Sequence, residues 1–107
     1  MTQNKDMLFR TLADPTRRAI FERLCREGGL TVAAITGEAG VSQPAVSKHL
    51  GVLKRAGLVR DTPDGRQTRY SAEIKALRPL LDWTSEMASF WDGKFDLLED
   101  LLKRMDQ

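Results

Sequence analysis

Apolar residues recur three and four positions apart through the first forty residues, which predicts three short helices. The first helix contains the segment MLFRTLA, residues 7–13. The second has clear start and stop signals, because Asp14 can cap it, Pro15 suits its first position and Gly28 can end it. The residues predicted to face the core from this second helix are Ile20, Phe21, Leu24 and Cys25.

A third helix is predicted in the segment TVAAITGEAG, and a fourth begins only a few residues later. Thr31 is placed to cap the third helix, and Gly40 can adopt the left-handed conformation that ends it. Ser42 is placed to cap the fourth helix, where Pro44 falls in the first turn and its missing N–H costs no hydrogen bond. Two helices joined by so short a glycine-containing turn are typical of a helix-turn-helix.

The fourth helix, from about Gln43 to Ala56, has two chemically different sides. Val46, Leu50 and Leu53 recur along one stripe and are predicted to pack on the domain. The other side is polar apart from one glycine, and it consists of Gln43, Ser47, Lys48, Gly51, Lys54 and Arg55. Since this side has no apolar stripe to bury, it is predicted to be a contact face for another molecule.

Beyond Gly57 the helical spacing is replaced by β-favouring residues on both sides of Pro63-Asp64-Gly65, a strong turn signal. This pattern predicts a β-hairpin. The hairpin has a basic tip and arm, because Arg60 precedes the turn and Arg66 and Arg69 follow it.

Helical spacing returns in the last third of the chain, from Pro79 to Met105. A continuous helix over residues 80–105 would be about 39 Å long at ~1.5 Å per residue, longer than a compact domain of this size can cover. Part of its apolar stripe therefore requires another chain. Asp92-Gly93 is a position where the segment can break or bend, so two shorter helices are the alternative to one long helix.

The length of 107 residues predicts a single domain over residues 1–107. No apolar run approaches the ~20 residues that a membrane span needs, and the first residues lack the apolar core of a secretory signal. The protein is therefore expected to be cytoplasmic, with no membrane partner. Cys25 is the only cysteine and His49 the only histidine, so neither an intrachain disulfide nor a metal or other cofactor is expected.

The net charge of +2 is unevenly distributed along the chain. Residues 42–70 contain six Lys or Arg and two Asp or Glu, whereas residues 71–107 contain five basic and eight acidic residues. The excess positive charge coincides with the fourth helix and the hairpin, and this distribution favours nucleic acid as the partner of that region.

Three segments, LADPTRRAIFERL, GVSQPAVSKHLGVLKRAGLV and DGRQTRYS, resemble in their order and spacing the ArsR family of bacterial winged-helix repressors. The resemblance covers roughly residues 7–91. It implies a mainly α-helical winged helix-turn-helix with a small β-hairpin wing, in the order α-α-α-α-β-β-α. It also implies a homodimeric transcriptional repressor that inserts one recognition helix per subunit into successive major grooves of double-stranded operator DNA.

Two-fold symmetry then predicts an inverted-repeat operator with half-site centres ~10 bp apart. Gln43, Ser47 and Lys48 can hydrogen-bond base edges, and Arg66 is placed to enter the minor groove. The complete set of predicted DNA-binding residues is Ser42, Gln43, Pro44, Ala45, Ser47, Lys48, His49, Lys54, Arg66, Gln67 and Arg69.

The resemblance further implies pairing of two subunits through their first and last helices. The expected division is a DNA-binding core over residues 7–75 and a dimerisation helix or helices over residues 76–107. The predicted dimer-interface residues are Met7, Leu8, Leu12, Leu80, Trp83, Met87, Phe90, Trp91 and Leu98. Four of them, Trp83, Met87, Phe90 and Trp91, can alternatively line a pocket for an apolar effector between the subunits.

Many members of this family release DNA when a metal binds, through cysteines on the third helix or Asp/His pairs on the last. Here the third helix has no thiol and the last helix no histidine, so a metal response is not expected. The resemblance is compatible with a repressor whose occupancy depends on its own concentration, acting on its own gene, and the sequence identifies no small-molecule effector. Oxidation of Cys25 is an alternative means of control.

Two other classes of function compete with a DNA-binding regulator. An enzyme is not expected, because the chain has no second histidine, nucleophile elbow or Gly-rich phosphate loop. The stronger alternative is a winged-helix module for dimerisation or protein binding without specific DNA binding, but such a module needs neither a basic wing nor an exposed polar helix face. Arg17 and Arg18 leave a similar choice, since they can reach backbone phosphates or pair with helix neighbours such as Glu22.

Overall fold

The computed structural model describes residues 2–91 and 93–106, which form a helical bundle with a small sheet on one side. The elements in these residues are α1 Thr2–Ala13, α2 Pro15–Glu27, β1 Leu30–Thr31, α3 Val32–Ala39, α4 Gln43–Arg55, β2 Val59–Asp64, β3 Gln67–Ala72, α5 Arg78–Ser89 and α6 Lys94–Met105. A 3₁₀ turn, Ile74–Leu77, precedes α5. Within the described ranges no helix combines the length and apolar character needed to cross a membrane.

The helix boundaries follow the capping residues in the sequence. Asp14 Oδ1 accepts a hydrogen bond from the Arg17 amide at 3.0 Å and so satisfies one of the free N–H groups at the start of α2. Thr31 Oγ1 accepts a hydrogen bond from the Ala34 amide at 3.2 Å at the start of α3. Both predicted caps are confirmed, as is the start of α2 at Pro15.

The core lies between α2, α3, α4 and the first residues of the hairpin. Val46, Leu50 and Leu53 are completely buried, which confirms the predicted apolar stripe of α4. The other buried apolar residues are Leu8, Ile20, Phe21, Leu24, Ile35, Leu58 and Val59. Since each such side chain contributes about 1.5–3 kcal/mol on burial, this cluster holds α4 in one orientation against the rest of the domain.

Two predictions about individual residues were wrong. Cys25 was predicted to face the core but is exposed, because it lies about 100° around α2 from Leu24, beyond the buried side of the helix. Leu8 was predicted at the dimer interface, but its side chain is only 2% exposed and packs in the core of its own chain. Leu8 therefore has no free surface to offer to a second subunit.

The sheet is antiparallel and has the strand order β1-β3-β2. β2 and β3 pair along their full length and form the predicted hairpin. Its turn is Gly65-Arg66 rather than Pro63-Asp64-Gly65, because Pro63 and Asp64 belong to β2, an edge strand in which a proline can be accommodated. Gly65 has a φ of 64° and Arg66 a negative φ, the pattern of a type II′ hairpin turn.

β1 was missing from the predicted order of elements. Leu30 and Thr31 pair with Tyr70 and Arg69 of β3, so the connection between α2 and α3 forms the third strand of the sheet. A strand of two residues has no alternation of apolar and polar positions, and the sequence contains no signal for it. The pairing attaches the hairpin to the helical part of the domain.

The C-terminal segment forms two helices, which decides between the two predicted alternatives. Gly93 has a φ of 77°, a left-handed conformation that cannot continue a right-handed helix, and α6 begins directly after it. Asp92, the other residue of the predicted break, lies outside the described residues. Every residue from Asp96 to Met105 is exposed. The radius of gyration of 17.4 Å, against ~13 Å for a compact domain of about this size, indicates how far these helices project.

Leu53→Ala is expected to lower the free energy of unfolding by about 2–5 kcal/mol, because it leaves a cavity at a completely buried position. Urea denaturation followed by circular dichroism measures this loss. Ser47→Ala, on the exposed side of the same helix, is the matched control and is expected to change stability by no more than ~0.5 kcal/mol. Equal losses for both variants would show that α4 is not held through this stripe.

Candidate nucleic-acid interface

The start of α4 is held at the surface by the short turn that follows α3. Gly40 ends α3 in the predicted left-handed conformation, with φ 73° and ψ 9°. Ser42 Oγ accepts a hydrogen bond from the Ala45 amide at 3.3 Å, and the Ser42 carbonyl oxygen accepts one from the Val46 amide at 3.0 Å. Pro44 lies in the first turn, as predicted. The direction in which α4 leaves the turn is therefore well defined.

The side of α4 opposite the buried stripe faces solvent. We call its first two turns the polar face of α4, and it consists of Gln43, Pro44, Ser47 and Lys48, all of which are exposed. Ala45 is half-buried at the border of this face. His49 is also half-buried, and its Nδ1 atom is enclosed without a hydrogen-bond partner among the described residues. His49 Nδ1 is therefore not accessible to a base or a phosphate from the surface.

The β2–β3 hairpin, which we call the wing, is attached to α4 and to the sheet by charged side chains. Lys54 Nζ pairs with Asp61 Oδ2 at 3.0 Å, which joins the end of α4 to β2. Arg69 Nε pairs with Asp64 Oδ2 at 2.6 Å, and Arg69 Nη1 donates a hydrogen bond to the Gly29 carbonyl oxygen at 3.1 Å. Lys54 and Arg69, two predicted DNA-binding residues, thus help to position the wing in the free protein.

The basic side chains of residues 42–70 divide into paired and unpaired groups. Those with a carboxylate partner are Lys54, Arg60 and Arg69. Those with no carboxylate at salt-bridge distance within the described part of the chain are Lys48, Arg55 and Arg66. Lys48 lies on the polar face of α4, and Arg66 lies at the tip of the wing beside the exposed Gln67. These two cations are free to interact with an anionic partner.

Arg17 and Arg18 have a role that the sequence did not suggest. Arg17 Nε donates a hydrogen bond to the Thr11 carbonyl oxygen at 2.8 Å, and Arg18 Nη1 donates one to the Leu12 carbonyl oxygen at 2.7 Å. These carbonyls belong to the last turn of α1, where no N–H of the same helix can donate to them. A positive charge at this end also interacts favourably with the helix dipole. The two arginines therefore join the end of α1 to the start of α2.

Exposed apolar side chains lie on α1, α5 and α6, and we call them together the apolar surface. Its exposed side chains are Met7, Phe9, Leu81, Trp83, Phe90, Trp91, Leu97, Leu98, Leu101, Leu102 and Met105. The rings of Phe9 and Trp83 meet edge to face with centroids 5.2 Å apart, so α1 and α5 form one continuous surface. Leu12 and Leu80, predicted at the interface, pack partly against the core, and Met87 is half-buried.

Residues 76–107 were predicted to dimerise, but the individual interface residues predicted did not include Phe9, Leu81, Leu97 or the α6 residues after Leu98. Phe9 follows the buried Leu8, and its contact with Trp83 connects it to this surface. For α6 a signal was present, since its leucines continue the helical spacing of the last third of the chain. Apolar surface of this extent is typical of a protein–protein interface.

The geometry of the described residues adds no support for control by a metal ion or by oxidation of Cys25. Among residues 2–91 and 93–106, no three His, Cys, Asp or Glu side chains are grouped so that they could hold a metal ion. Desolvation raises the pKa of the Cys25 thiol above its usual value, although the residue is exposed. A raised pKa leaves less of the reactive thiolate at neutral pH.

Comparison with known sequences identifies the family. A family model described as a helix-turn-helix domain matches residues 12–62. The HTH-type transcriptional regulator Rv2034 of Mycobacterium tuberculosis is 43% identical over 93 residues, which cover 82% of this chain and 86% of that protein. The transcriptional repressor SdpR of Bacillus subtilis is 33% identical over 76 residues, which cover 71% of this chain and 83% of that protein.

Solved structures agree with the sequence relatives. The crystal structure of an ArsR family transcriptional regulator is 29% identical and matches with a TM-score of 0.77, over 86% of this chain and 94% of that one. A homodimeric winged helix-turn-helix DNA-binding domain from Mycobacterium bovis, described as a possible ArsR-family regulator, is 25% identical and has a TM-score of 0.66, over 82% and 81% of the two chains. The chain belongs to the ArsR family of winged helix-turn-helix transcriptional regulators, which confirms the predicted fold class and family.

The pKa of the Asp61 carboxyl is expected to lie below the ordinary value of 3.8, because the hydrogen bond from Lys54 stabilises its ionised form. A carboxyl whose pKa is lower in the folded state stabilises the fold above its unfolded pKa and loses that effect as pH falls through its folded pKa. Attachment of the wing to α4 is thus expected to weaken only below about pH 4.

An NMR titration of the Asp61 side-chain carbon measures this pKa. Lys54→Met is expected to raise the midpoint toward the ordinary value, whereas Lys48→Met, on the same helix but unpaired, is expected to leave it unchanged. A midpoint that does not move in Lys54→Met would contradict the assignment of Lys54 as the partner of Asp61.

Proposed function

We propose that this regulator binds an inverted-repeat DNA operator as a homodimer and represses transcription from it. The observation that carries the proposal is the polar face of α4, which is exposed at the capped start of a helix whose end is joined to a basic wing. An α-helix with its side chains is about 10–12 Å across, and the major groove of B-DNA is ~12 Å wide. The start of α4 therefore has the size and the chemistry to enter that groove.

The polar face of α4 supplies the proposed base contacts. Gln43 and Ser47 lie one helical turn apart, so both can reach the floor of the same groove. There a Gln side chain hydrogen-bonds well to adenine, and a Ser side chain can hydrogen-bond to several base edges. Lys48 can bind guanine or a phosphate, while Pro44 and Ala45 can contact a thymine methyl group. These assignments follow from side-chain chemistry and exposure at the start of α4.

Phosphate contacts are assigned to the ends of α4 and to the wing. Ser42 and the first amides of α4 suit a phosphate, because the start of a helix attracts anions. The exposed ion pairs of Lys54 and Arg69 contribute little to stability, so a DNA phosphate can replace the carboxylate at small cost. Arg66, at the tip of the wing with Gln67, is proposed to enter the adjacent minor groove.

The apolar surface is proposed to be the homodimer interface. Met7, Trp83, Phe90, Trp91 and Leu98 are its exposed members from the predicted set, and Phe9 and the remaining α6 leucines extend it. We assign the DNA-binding core to residues 7–75 and dimerisation to residues 76–107. The homodimeric state of the related Mycobacterium bovis domain supports this division.

A two-fold axis through the proposed interface sets the geometry of the operator. Two copies of α4 that occupy successive major grooves lie about 34–36 Å apart, which corresponds to half-site centres ~10 bp apart. The name of the related repressor SdpR supports repression, and we propose the promoter of the protein's own gene as the first operator to test. Metal-independent binding is proposed, because the described residues contain no grouped metal ligands.

Gln43→Ala and Ser47→Ala are expected to weaken operator binding by about 1–3 kcal/mol each and to relax sequence preference at one position of each half-site. Arg66→Ala is expected to weaken binding to all sequences and to reduce the salt dependence by about one unit of log–log slope. Fluorescence anisotropy with an operator duplex and a random duplex, at several salt concentrations, separates the two effects. Glu22→Ala, an exposed change on α2, is the control, and equal affinity for all four variants would contradict the proposed DNA-binding surface.

Phe90→Asp and Leu98→Asp are expected to shift the protein from dimer to monomer, because each places an unpaired charge in the proposed apolar interface. Sedimentation velocity measures the oligomeric state, and operator affinity is expected to fall in parallel because a monomer occupies only one half-site. Glu86→Ala is the control for a polar exposed position on α5. Unchanged sedimentation of both Asp variants would place the interface elsewhere.

A further inference from the structure

Among the described residues, two surface cavities of similar size are lined by arginine side chains, and an acidic residue, Glu38, lines the first but none lines the second. The cavity between α2 and α3 has a volume of about 390 Å³ and contains Arg23. Arg23 pairs with Glu27 at 2.9 Å and with Glu38 at 3.7 Å, and it donates a hydrogen bond to the Ala34 carbonyl oxygen at 3.0 Å. The charge of Arg23 is therefore already compensated within the chain.

The second cavity, where α1, α2 and α4 meet, has a positively charged lining. Its volume is about 360 Å³, and Arg10, Arg17 and Arg55 line it, whereas no Asp or Glu does. Within residues 2–91 and 93–106, none of these three guanidinium groups has a carboxylate at salt-bridge distance. We call this space the arginine cavity. Three cations held together without an anion are a favourable site for one.

One side of the arginine cavity is held by hydrogen bonds between α1 and α2. Arg17 donates hydrogen bonds from Nε to the Thr11 carbonyl oxygen at 2.8 Å and from Nη2 to the Arg10 carbonyl oxygen at 3.4 Å, so its guanidinium group is held in place. Thr11 is only 4% exposed. A cation that is already oriented loses little conformational freedom when it binds a ligand, which favours affinity.

The remainder of the lining is apolar, which indicates the kind of anion. Met7, Val52 and Ala56 complete the wall. A neighbouring cavity of about 310 Å³ shares Met7 and Ala56, adds Lys75 and Pro79, and also has no acidic residue in its lining. Ligand sites typically combine an apolar lining with a few convergent charged groups in this way.

We propose that the arginine cavity binds a small organic anion, with a carboxylate or phosphate group among Arg10, Arg17 and Arg55 and a short apolar part against Val52 and Ala56. A DNA phosphate is the competing ligand for these arginines. The recess and its apolar wall favour a small molecule over a phosphodiester backbone. The cavity also lies at the end of α4, twelve residues or about 18 Å along the helix axis from Gln43, where the polar face begins.

The position of the cavity couples the ligand to α4. Val52, Arg55 and Ala56 belong to the end of α4 or follow it directly, so a bound anion changes the contacts that hold this helix against α1 and α2. Binding of the anion and binding of DNA through α4 are then linked, and each changes the affinity of the other by the same factor. This coupling, unlike the site itself, rests on the proposed function.

The site is tested first on the DNA-free protein, with sodium hexanoate and inorganic phosphate as probes and 1-hexanol as the uncharged control. Amide and arginine Nε–H signals are followed by two-dimensional ¹H–¹⁵N NMR during each titration. Hexanoate is expected to give saturable shifts at Arg10, Arg55 and Val52. It is expected to bind more tightly than phosphate because of its apolar part, and 1-hexanol is expected to give no shifts. Absence of saturable shifts at the cavity with both anions would overturn the proposal.

Charge-removing variants locate the effect. Arg10→Gln and Arg55→Gln are expected to weaken hexanoate binding by roughly tenfold or more each, since a hydrogen bond to a charged group is lost. Arg26→Gln, an arginine of the α2–α3 cavity, is the matched control and is expected to bind hexanoate like the unmodified protein. Circular dichroism verifies that all three variants are folded, and equal affinities in all three would overturn the assignment.

Operator binding then separates the site from the proposed function. Saturating hexanoate is expected to change operator affinity by about fivefold or more in the unmodified protein and not in Arg10→Gln. Hexanoate binding without any operator binding would sustain the anion site and reject the proposed function. A third outcome combines two results: Arg10→Gln and Arg55→Gln reduce the salt dependence of operator binding, and the DNA-free protein shows no shifts with the anions. This outcome would assign these arginines to DNA phosphates and overturn the anion site.

Discussion

Burial of the apolar stripe of α4 is the constraint on which the rest of the structure depends. Val46, Leu50 and Leu53 are fully enclosed, so rotation of the helix by one residue, about 100°, would expose them and bury charged or polar side chains instead. The orientation of the polar face of α4 follows directly. The packing that stabilises the domain thus also determines which side chains α4 presents at the surface.

Charged side chains hold the secondary elements around this core in place. Arg17 and Arg18 bind the free carbonyls of α1, Lys54 joins α4 to the wing, and Arg69 joins the wing to the α2–α3 connection. Because the two wing pairs are exposed, they orient the wing without contributing much stability. In the proposed DNA complex, the wing exchanges these protein carboxylates for phosphates.

The single chain leaves two parts of its surface without partners. Within residues 2–91 and 93–106, no segment covers the apolar surface of α1, α5 and α6, and the radius of gyration of 17.4 Å indicates how far these helices extend from the core. A second copy is the proposed partner for that surface, and a small anion is the proposed partner for the arginine cavity. Met7 of α1 belongs to both surfaces, so the proposed dimer interface and the cavity adjoin each other.

The sequence by itself determined most of the helices, their caps, the buried stripe of α4, the hairpin and the family. These features depend on residues within one or two helical turns, or on a few ordered segments, and such local signals are present in the chain whatever it later contacts. The roles of the individual site residues in binding DNA or a second subunit stay predictions from side-chain chemistry.

The tertiary structure decided β1, the turn at Gly65-Arg66, the exposure of Cys25 and the burial of Leu8. It also decided which cations are paired: Arg69 reaches Gly29, 40 residues away, and Arg10 and Arg55 meet in one cavity from different helices. Contacts between distant residues arise only when the core has packed, because no local spacing encodes them.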